Sequence, residues 1–230
     1  MVNGHFSEQR KQSNACIGYA ESRQNCCEAK RSIIKVCGMT DAENIRKVEQ
    51  LNPTMMGFIF YEKSPRYCQE KPSYLPTNAK RVGVFVDADI SYIESHIFDF
   101  QLDYVQLHGH ETPTFCQELK ATGIGVIKAI GVSCEADLWV AEAYINMCDY
   151  LLFDTKTPKQ GGSGQQFNWD LLSAYKGPTP FLLSGGIGPQ DAEKLQQFHH
   201  PMLAGYDLNS KFEFKPGIKD VTKLKQFLAL

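Results

Sequence analysis

Two side chains in this sequence, Cys37 and Asp154, are suited to moving protons in opposite directions. A thiolate is a competent base near neutral pH once nearby positive charge lowers its pKa. A carboxyl group kept protonated by its surroundings is a competent acid. A base on one side of a bound sugar and an acid on the other suit an isomerase. The bland alternative for Cys37 is a small buried apolar residue. A second signal is Leu182-Leu-Ser-Gly-Gly-Ile187, whose Gly185 and Gly186 carry unhindered backbone N–H groups. With Asn209 and Ser210 they form a cradle for phosphate. Lys35 has the pleat parity of Cys37, so both point the same way from a strand. A buried lysine needs a counter-charge, and Asp207 is the candidate.

Residues so far apart meet only if a regular scaffold brings them together. From Ser32 onward, short apolar runs recur at 33–37, 55–60, 82–86, 104–107, 126–130, 150–153, 181–183 and 202–205. Rich in Val, Ile, Leu and Phe, they predict strands buried on both faces. Amphipathic stretches lie between them at 41–51, 89–100, 112–122, 135–145, 191–198 and 219–228, several opened by an N-cap: Thr40 or Asp41, and Ser133. After Arg66, Pro72 and Pro76 leave room for a short helix at most. Cys37 and Asp207 stand 170 residues apart over seven repeats, about 24 residues per unit. That spacing predicts an α/β fold, a single (β/α)8 TIM barrel of the phosphate-binding type spanning residues 31–230. A doubly wound sheet is disfavoured because the first strand-to-helix turn lacks G-x-G-x-x-G.

Such barrels carry their chemistry at the carboxyl ends of the strands. That filter selects Cys37, Ser64-Pro65-Arg66, Asp87, His108, Lys128, Asp154, Ser184-Gly185-Gly186 and Asp207 through Ser210. The loop 156–164 is polar and glycine-rich and follows the sixth strand, so it reads as a lid that excludes water.

The whole-chain numbers narrow the class. Of 230 residues 43% are hydrophobic, and the formal charge is −2. Neither nucleic acid nor an acidic membrane surface is indicated as a partner, and no apolar run has the length of a membrane span. Eight cysteines without a C-x-x-C pair, behind an N-terminus lacking an apolar signal stretch, indicate a reducing, cytoplasmic setting. Residues 1–30 are polar and aperiodic and are expected to be an unstructured extension.

At these residues the sequence resembles the phosphoribosylanthranilate isomerase family. The resemblance is carried by Lys35-Val-Cys-Gly-Met-Thr40, Met56-Gly-Phe-Ile-Phe-Tyr-Glu-Lys-Ser-Pro-Arg-Tyr67 and Arg81-Val-Gly-Val-Phe-Val86. Val105-Gln-Leu-His-Gly109, Phe153-Asp-Thr-Lys156, Gly161-Gly-Ser-Gly164, Leu183-Ser-Gly-Gly186, Asp207-Leu-Asn-Ser210 and Pro216-Gly-Ile-Lys-Asp220 complete it. It implies an Amadori rearrangement of N-(5-phosphoribosyl)anthranilate to 1-(2-carboxyphenylamino)-1-deoxyribulose 5-phosphate, in tryptophan biosynthesis. By the same resemblance Cys37 is the general base, Asp154 the general acid, and Arg66 the partner of the anthranilate carboxylate. Gly185, Gly186, Asn209 and Ser210 hold the phosphate, with His108 supporting at the rim and Asp207 among the substrate-site residues. Proton transfer of this kind needs no metal or organic cofactor. The expected partner is the small-molecule substrate, in a monomer or homodimer. The isomerase of histidine biosynthesis would place a carboxylate where Cys37 stands, and indole-glycerol-phosphate synthase would need catalytic glutamates not found at strand ends. A non-catalytic phosphate-binding module remains the reading from another class.

Overall fold

The computed structural model describes residues 32–157 and 166–229. Eight parallel strands close on themselves in sequence order. They are β1 (Ile33–Val36), β2 (Met55–Ile59), β3 (Lys80–Phe85), β4 (Tyr104–Leu107), β5 (Gly125–Val132), β6 (Tyr150–Thr155), β7 (Phe181–Leu183) and β8 (Leu203–Leu208). Closure is made by β1 and β8, with Ile33 opposite Gly205 and Lys35 opposite Asp207. The expected (β/α)8 barrel is present.

Alternation along each strand divides the core in two. Val36, Phe58, Phe85, Phe153 and Leu183 belong to the larger cluster, to which the helices contribute. Met55, Val82, Ile127, Leu152 and Leu182 form a separate cluster inside the barrel. Each large side chain so buried contributes about 1.5–3 kcal/mol, which is why runs on these strands are apolar at both parities. Asp154 and Asp207 lie within the last residues of β6 and β8, because both strands run longer than their apolar cores suggest.

The helical layer is less regular than the repeat predicts. α1 (Ala42–Glu49) begins at Asp41, whose carboxylate accepts from the Asn44 N–H at 2.8 Å. α2 (Ile90–Phe100) and α3 (Pro113–Ala121) follow β3 and β4. After β5 the expected α-helix is a 3-10 helix, Glu135–Tyr144, capped at Cys134 rather than Ser133. Its buried residues Leu138, Ala141 and Tyr144 fall three apart, the period of a 3-10 helix and not of an α-helix. Another 3-10 stretch, Trp169–Ala174, follows β6. After β7 the helix expected at 191–198 becomes a 3-10 turn, Pro189–Asp191, leading into the short α4 (Ala192–Gln197). No helix follows β2. Its long loop is tied down instead by the buried Glu49, which accepts from the Thr77 and Asn78 N–H groups at 2.6 and 2.7 Å and from the Tyr74 hydroxyl.

The chain past β8 also departs from expectation. A hairpin of β9 (Glu213–Lys215) and β10 (Ile218–Lys219) precedes α5 (Val221–Leu228), so Lys219 lies in a strand and not in the helix. Asp220 caps α5 by accepting from the Lys223 N–H at 3.1 Å. Asn44 of α1 clasps the hairpin, accepting from the Lys219 N–H at 2.7 Å and donating to its carbonyl at 2.9 Å. The proposed extension at 1–30, and the lid from residue 158 to 164, lie outside the described residues.

Candidate active site

Cys37 follows β1 directly, held by its N–H donating to the Leu208 carbonyl at 2.9 Å. Its thiol is almost fully buried yet lines a pocket at the carboxyl end of the barrel. Gly57 makes room for the thiol and Gly38 for the neighbouring Arg66. A Cβ on Gly57 of β2 would lie 2.8 Å from the Cys37 sulfur, and a Cβ on Gly38 would lie 2.8 Å from Arg66 Cδ. Gly38 also has a φ of +77°, a conformation that favours glycine. Burial pushes the thiol above its ordinary pKa. The Lys35 ammonium is the strongest opposing influence, Asp207 reinforces the rise, and Lys219 counters it.

Lys35 is fully buried and donates to Asp207 Oδ1 at 2.8 Å. The pairing expected from pleat parity is therefore present. Burial alone would neutralise Lys35, but Asp207 first and Cys37 next hold its pKa above the usual value. The second Asp207 oxygen accepts from the Ser184 hydroxyl at 3.3 Å.

Asp154, three strands away from Cys37 by way of β8 and β7, lines the same pocket. One of its oxygens accepts from the Thr155 N–H at 2.8 Å, and the other lies 3.3 Å from His108 Nε2. His108 Nδ1 lies 3.2 Å from the amide nitrogen of Gln106, a buried residue whose amide oxygen has no hydrogen-bond partner. If the amide nitrogen donates, His108 carries its own proton on Nε2, facing Asp154.

The remaining walls come from Arg66, Tyr61, Ser64, Ser184, Gly185, Gly186, Asn209 and Ser210. Arg66 Nε and Nη2 form a bidentate contact with Glu213 at 2.7–3.0 Å. Glu213 in turn accepts from Lys219 Nζ at 2.6 Å. Burial favours the protonated Glu213 carboxyl, yet Arg66 and Lys219 outweigh it and hold the pKa low.

The family model for N-(5'phosphoribosyl)anthranilate (PRA) isomerase matches residues 34–229. The chain belongs to this family. An N-(5'-phosphoribosyl)anthranilate isomerase from Phocaeicola vulgatus is 50% identical over 196 residues, covering 85% of this chain and 96% of the relative. One from Parabacteroides distasonis is 46% identical over 202 residues, covering 85% and 91%. The solved phosphoribosyl anthranilate isomerase of Thermotoga maritima superposes with a TM-score of 0.73 at 34% identity, covering 86% of this chain and 97% of that one. Another solved family member, 31% identical with a TM-score of 0.70 and 86% and 96% coverage, holds reduced 1-(o-carboxyphenylamino)-1-deoxyribulose 5-phosphate.

Against this family's architecture, all nine expected site residues, Cys37, Arg66, His108, Asp154, Gly185, Gly186, Asp207, Asn209 and Ser210, line one pocket. Two residues selected by the strand-end filter serve elsewhere. Lys128 donates to Glu111 at 2.9 Å and to the Leu107 and Gly109 carbonyls, bracing the loop that carries His108. Asp87 accepts from the exposed His110. Sequence reasoning missed Gln106, which shares the pleat parity of His108 and was legible on that ground. It also missed Glu213 and Lys219, whose pairing across a hairpin has no sequence period.

Proposed function

We propose that Cys37 and Asp154 are the base and acid with which this phosphoribosylanthranilate isomerase rearranges N-(5'-phosphoribosyl)anthranilate. The observation that carries this reading is that both line one pocket from the ends of strands three apart around the barrel, with the Gly185-Gly186 and Asn209-Ser210 loops completing it. Asp154 protonates the furanose ring oxygen, and the C1–O bond breaks as the anilinic nitrogen supplies its electron pair to form a Schiff base. The Cys37 thiolate then removes the C2 proton. Those electrons form the C1–C2 double bond and neutralise the iminium. Ketonisation of the enol gives 1-(2-carboxyphenylamino)-1-deoxyribulose 5-phosphate. No step changes oxidation state overall, because C1 gains the hydrogen that C2 loses.

Substrate orientation follows from the two ends of the pocket. The phosphate lies against Gly185, Gly186, Asn209 and Ser210, and the anthranilate carboxylate meets the outward edge of the Arg66 fork. His108 stands beside Asp154 and orients its carboxyl. A thiol base works only while reduced, which suits a cytoplasmic enzyme.

A coupled fluorescence assay of substrate consumption tests the assignment. Cys37→Ala and Asp154→Asn are each expected to lose about 10²–10⁴ in kcat, the usual range for general acid–base catalysis. Wild-type rates in both would overturn it. Ligand binding without turnover in the wild-type protein would instead favour a phosphate-binding module.

A further inference from the structure

Beneath the pocket lies a set of buried charges that the acid–base pair alone does not explain. Lys219 and Lys35 have fully buried side chains, and those of Arg66, Glu213 and Asp207 are 8%, 4% and 7% exposed. Three of these groups are cations and two are carboxylates. Burying an unmatched charge is costly, so the set is built to receive one more anion. Two anions are at hand in the proposed reaction. One is the Cys37 thiolate, and the other is the substrate carboxylate at Arg66.

The hairpin is placed for this task. Asn44 holds the Lys219 backbone from both sides, and Thr40 donates to the Gly217 carbonyl at 3.0 Å. Lys219 Nζ then reaches Glu213 at 2.6 Å and Asn209 Oδ1 at 2.7 Å. Asn209 Oδ1 lies 3.0 Å from where a Cβ on Gly38 would be, one residue from Cys37. We infer that Glu213 and Lys219 are positioning residues for this isomerase: Glu213 aims the Arg66 fork, and Lys219 supplies buried positive charge that favours the Cys37 thiolate. This inference rests on the roles proposed above for Cys37 and Arg66.

The groups facing Cys37 come from every neighbouring element. Arg66, on the loop after β2, and Asp207, on β8, line the pocket with it; Lys35 lies two residues before it on β1, and Lys219 of β10, paired with Glu213, reaches the pocket-lining Asn209 at 2.7 Å. Across the pocket stand Asp154 and His108. Among them Lys35 and Lys219 pull the thiol toward ionisation, while burial and Asp207 push the other way. Burial lowers the Lys219 pKa, which Glu213 and then Cys37 partly restore.

The two residues are therefore read by different measurements. Removing the cation in Lys219→Met is expected to raise the pH midpoint of Cys37 alkylation by iodoacetamide by about one unit. Lys219→Arg, which keeps the charge, should return the midpoint toward wild type. Removing Glu213 instead takes away the influence that restores the Lys219 pKa, so Glu213 is read through Arg66 and the kinetics rather than through the thiol. Mass spectrometry of the Cys37-containing peptide in the full-length protein reads the midpoint without any need for turnover. In the kinetic assay, Glu213→Gln should raise KM about 10-fold or more with a smaller loss in kcat, as Arg66 loses its aim. An unchanged midpoint in Lys219→Met, or an unchanged KM in Glu213→Gln, would overturn the inference even if both proteins melt earlier. Cys37→Ala assayed alongside separates the two claims. Full activity there defeats the acid–base assignment, whereas the alkylation midpoint judges the Lys219 role and the KM of Glu213→Gln judges the Glu213 role independently. Should Lys219→Met not fold, Lys219→Gln, which also removes the charge, is read in its place.

Discussion

Lys35 and Asp207 are register partners across the seam where β1 meets β8, and their side chains join inside the barrel at 2.8 Å. One ion pair thus spans the closing seam and places charge beside Cys37. Removing one partner of a buried pair leaves the other charge uncompensated, at a cost of about 3–5 kcal/mol. Lys35→Met and Asp207→Asn are each expected to lose stability on that order in urea denaturation. The double variant Lys35→Met/Asp207→Asn should lose clearly less than the sum of the two single losses. Strict additivity would show that the contact does not couple the strands.

Gly57 makes a second prediction that separates activity from folding. An added Cβ would sit 2.8 Å from the Cys37 sulfur and 3.2 Å from the Cys37 Cα, so the base must move. A displacement near 1 Å can cost about 10² in rate, while local overpacking costs about 1–3 kcal/mol. Gly57→Ala should therefore retain a cooperative melt but lose about 100-fold in kcat. A variant with normal kcat would mean that the thiol position is not critical.

Glu49 supplies a pH-dependent test of the loop that carries Arg66. Burial alone would raise its carboxyl pKa, but the Asn78, Tyr74, Thr77 and Ala79 donors outweigh burial and lower it. A depressed folded-state pKa stabilises the protein above the unfolded value, about 4.3 for glutamate. That stabilisation is lost as pH falls through the folded value. Glu49→Gln should cost about 1–3 kcal/mol at neutral pH, and the gap to wild type should narrow in acid. A gap constant with pH would show that the ionised form contributes nothing.

Much of this was legible from strand-end position and pleat parity. Cys37, His108, Asp154 and Asp207 sit on inward positions near strand ends, and two-residue alternation fixes where each points. Lys128 shows the limit of position alone: opposite parity to Ile127 and Ala129 of the interior cluster turns it outward, into a brace with Glu111. The 3-10 helix at Glu135–Tyr144 was legible only through the three-residue spacing of its buried side chains, which its composition conceals. The Glu213–Lys219 pair depends on a hairpin docked by Asn44, a contact between residues 175 apart in the chain. No local pattern encodes such a contact.

Phosphate recognition should be separable from catalysis. Gly185 and Gly186 line the same pocket as Asn209 and Ser210, just past the ends of the neighbouring strands β7 and β8. Inorganic phosphate is expected to inhibit competitively and to raise the melting temperature. At 100 times its Kd the stabilisation is about 2.7 kcal/mol, since only the folded state binds. Ser210→Asp places a negative charge in that wall and should remove both effects while raising KM. Because Ser210 moves no proton in the proposed reaction, kcat should fall much less than in Cys37→Ala. Persistence of phosphate stabilisation in Ser210→Asp would place the anion site elsewhere on the barrel.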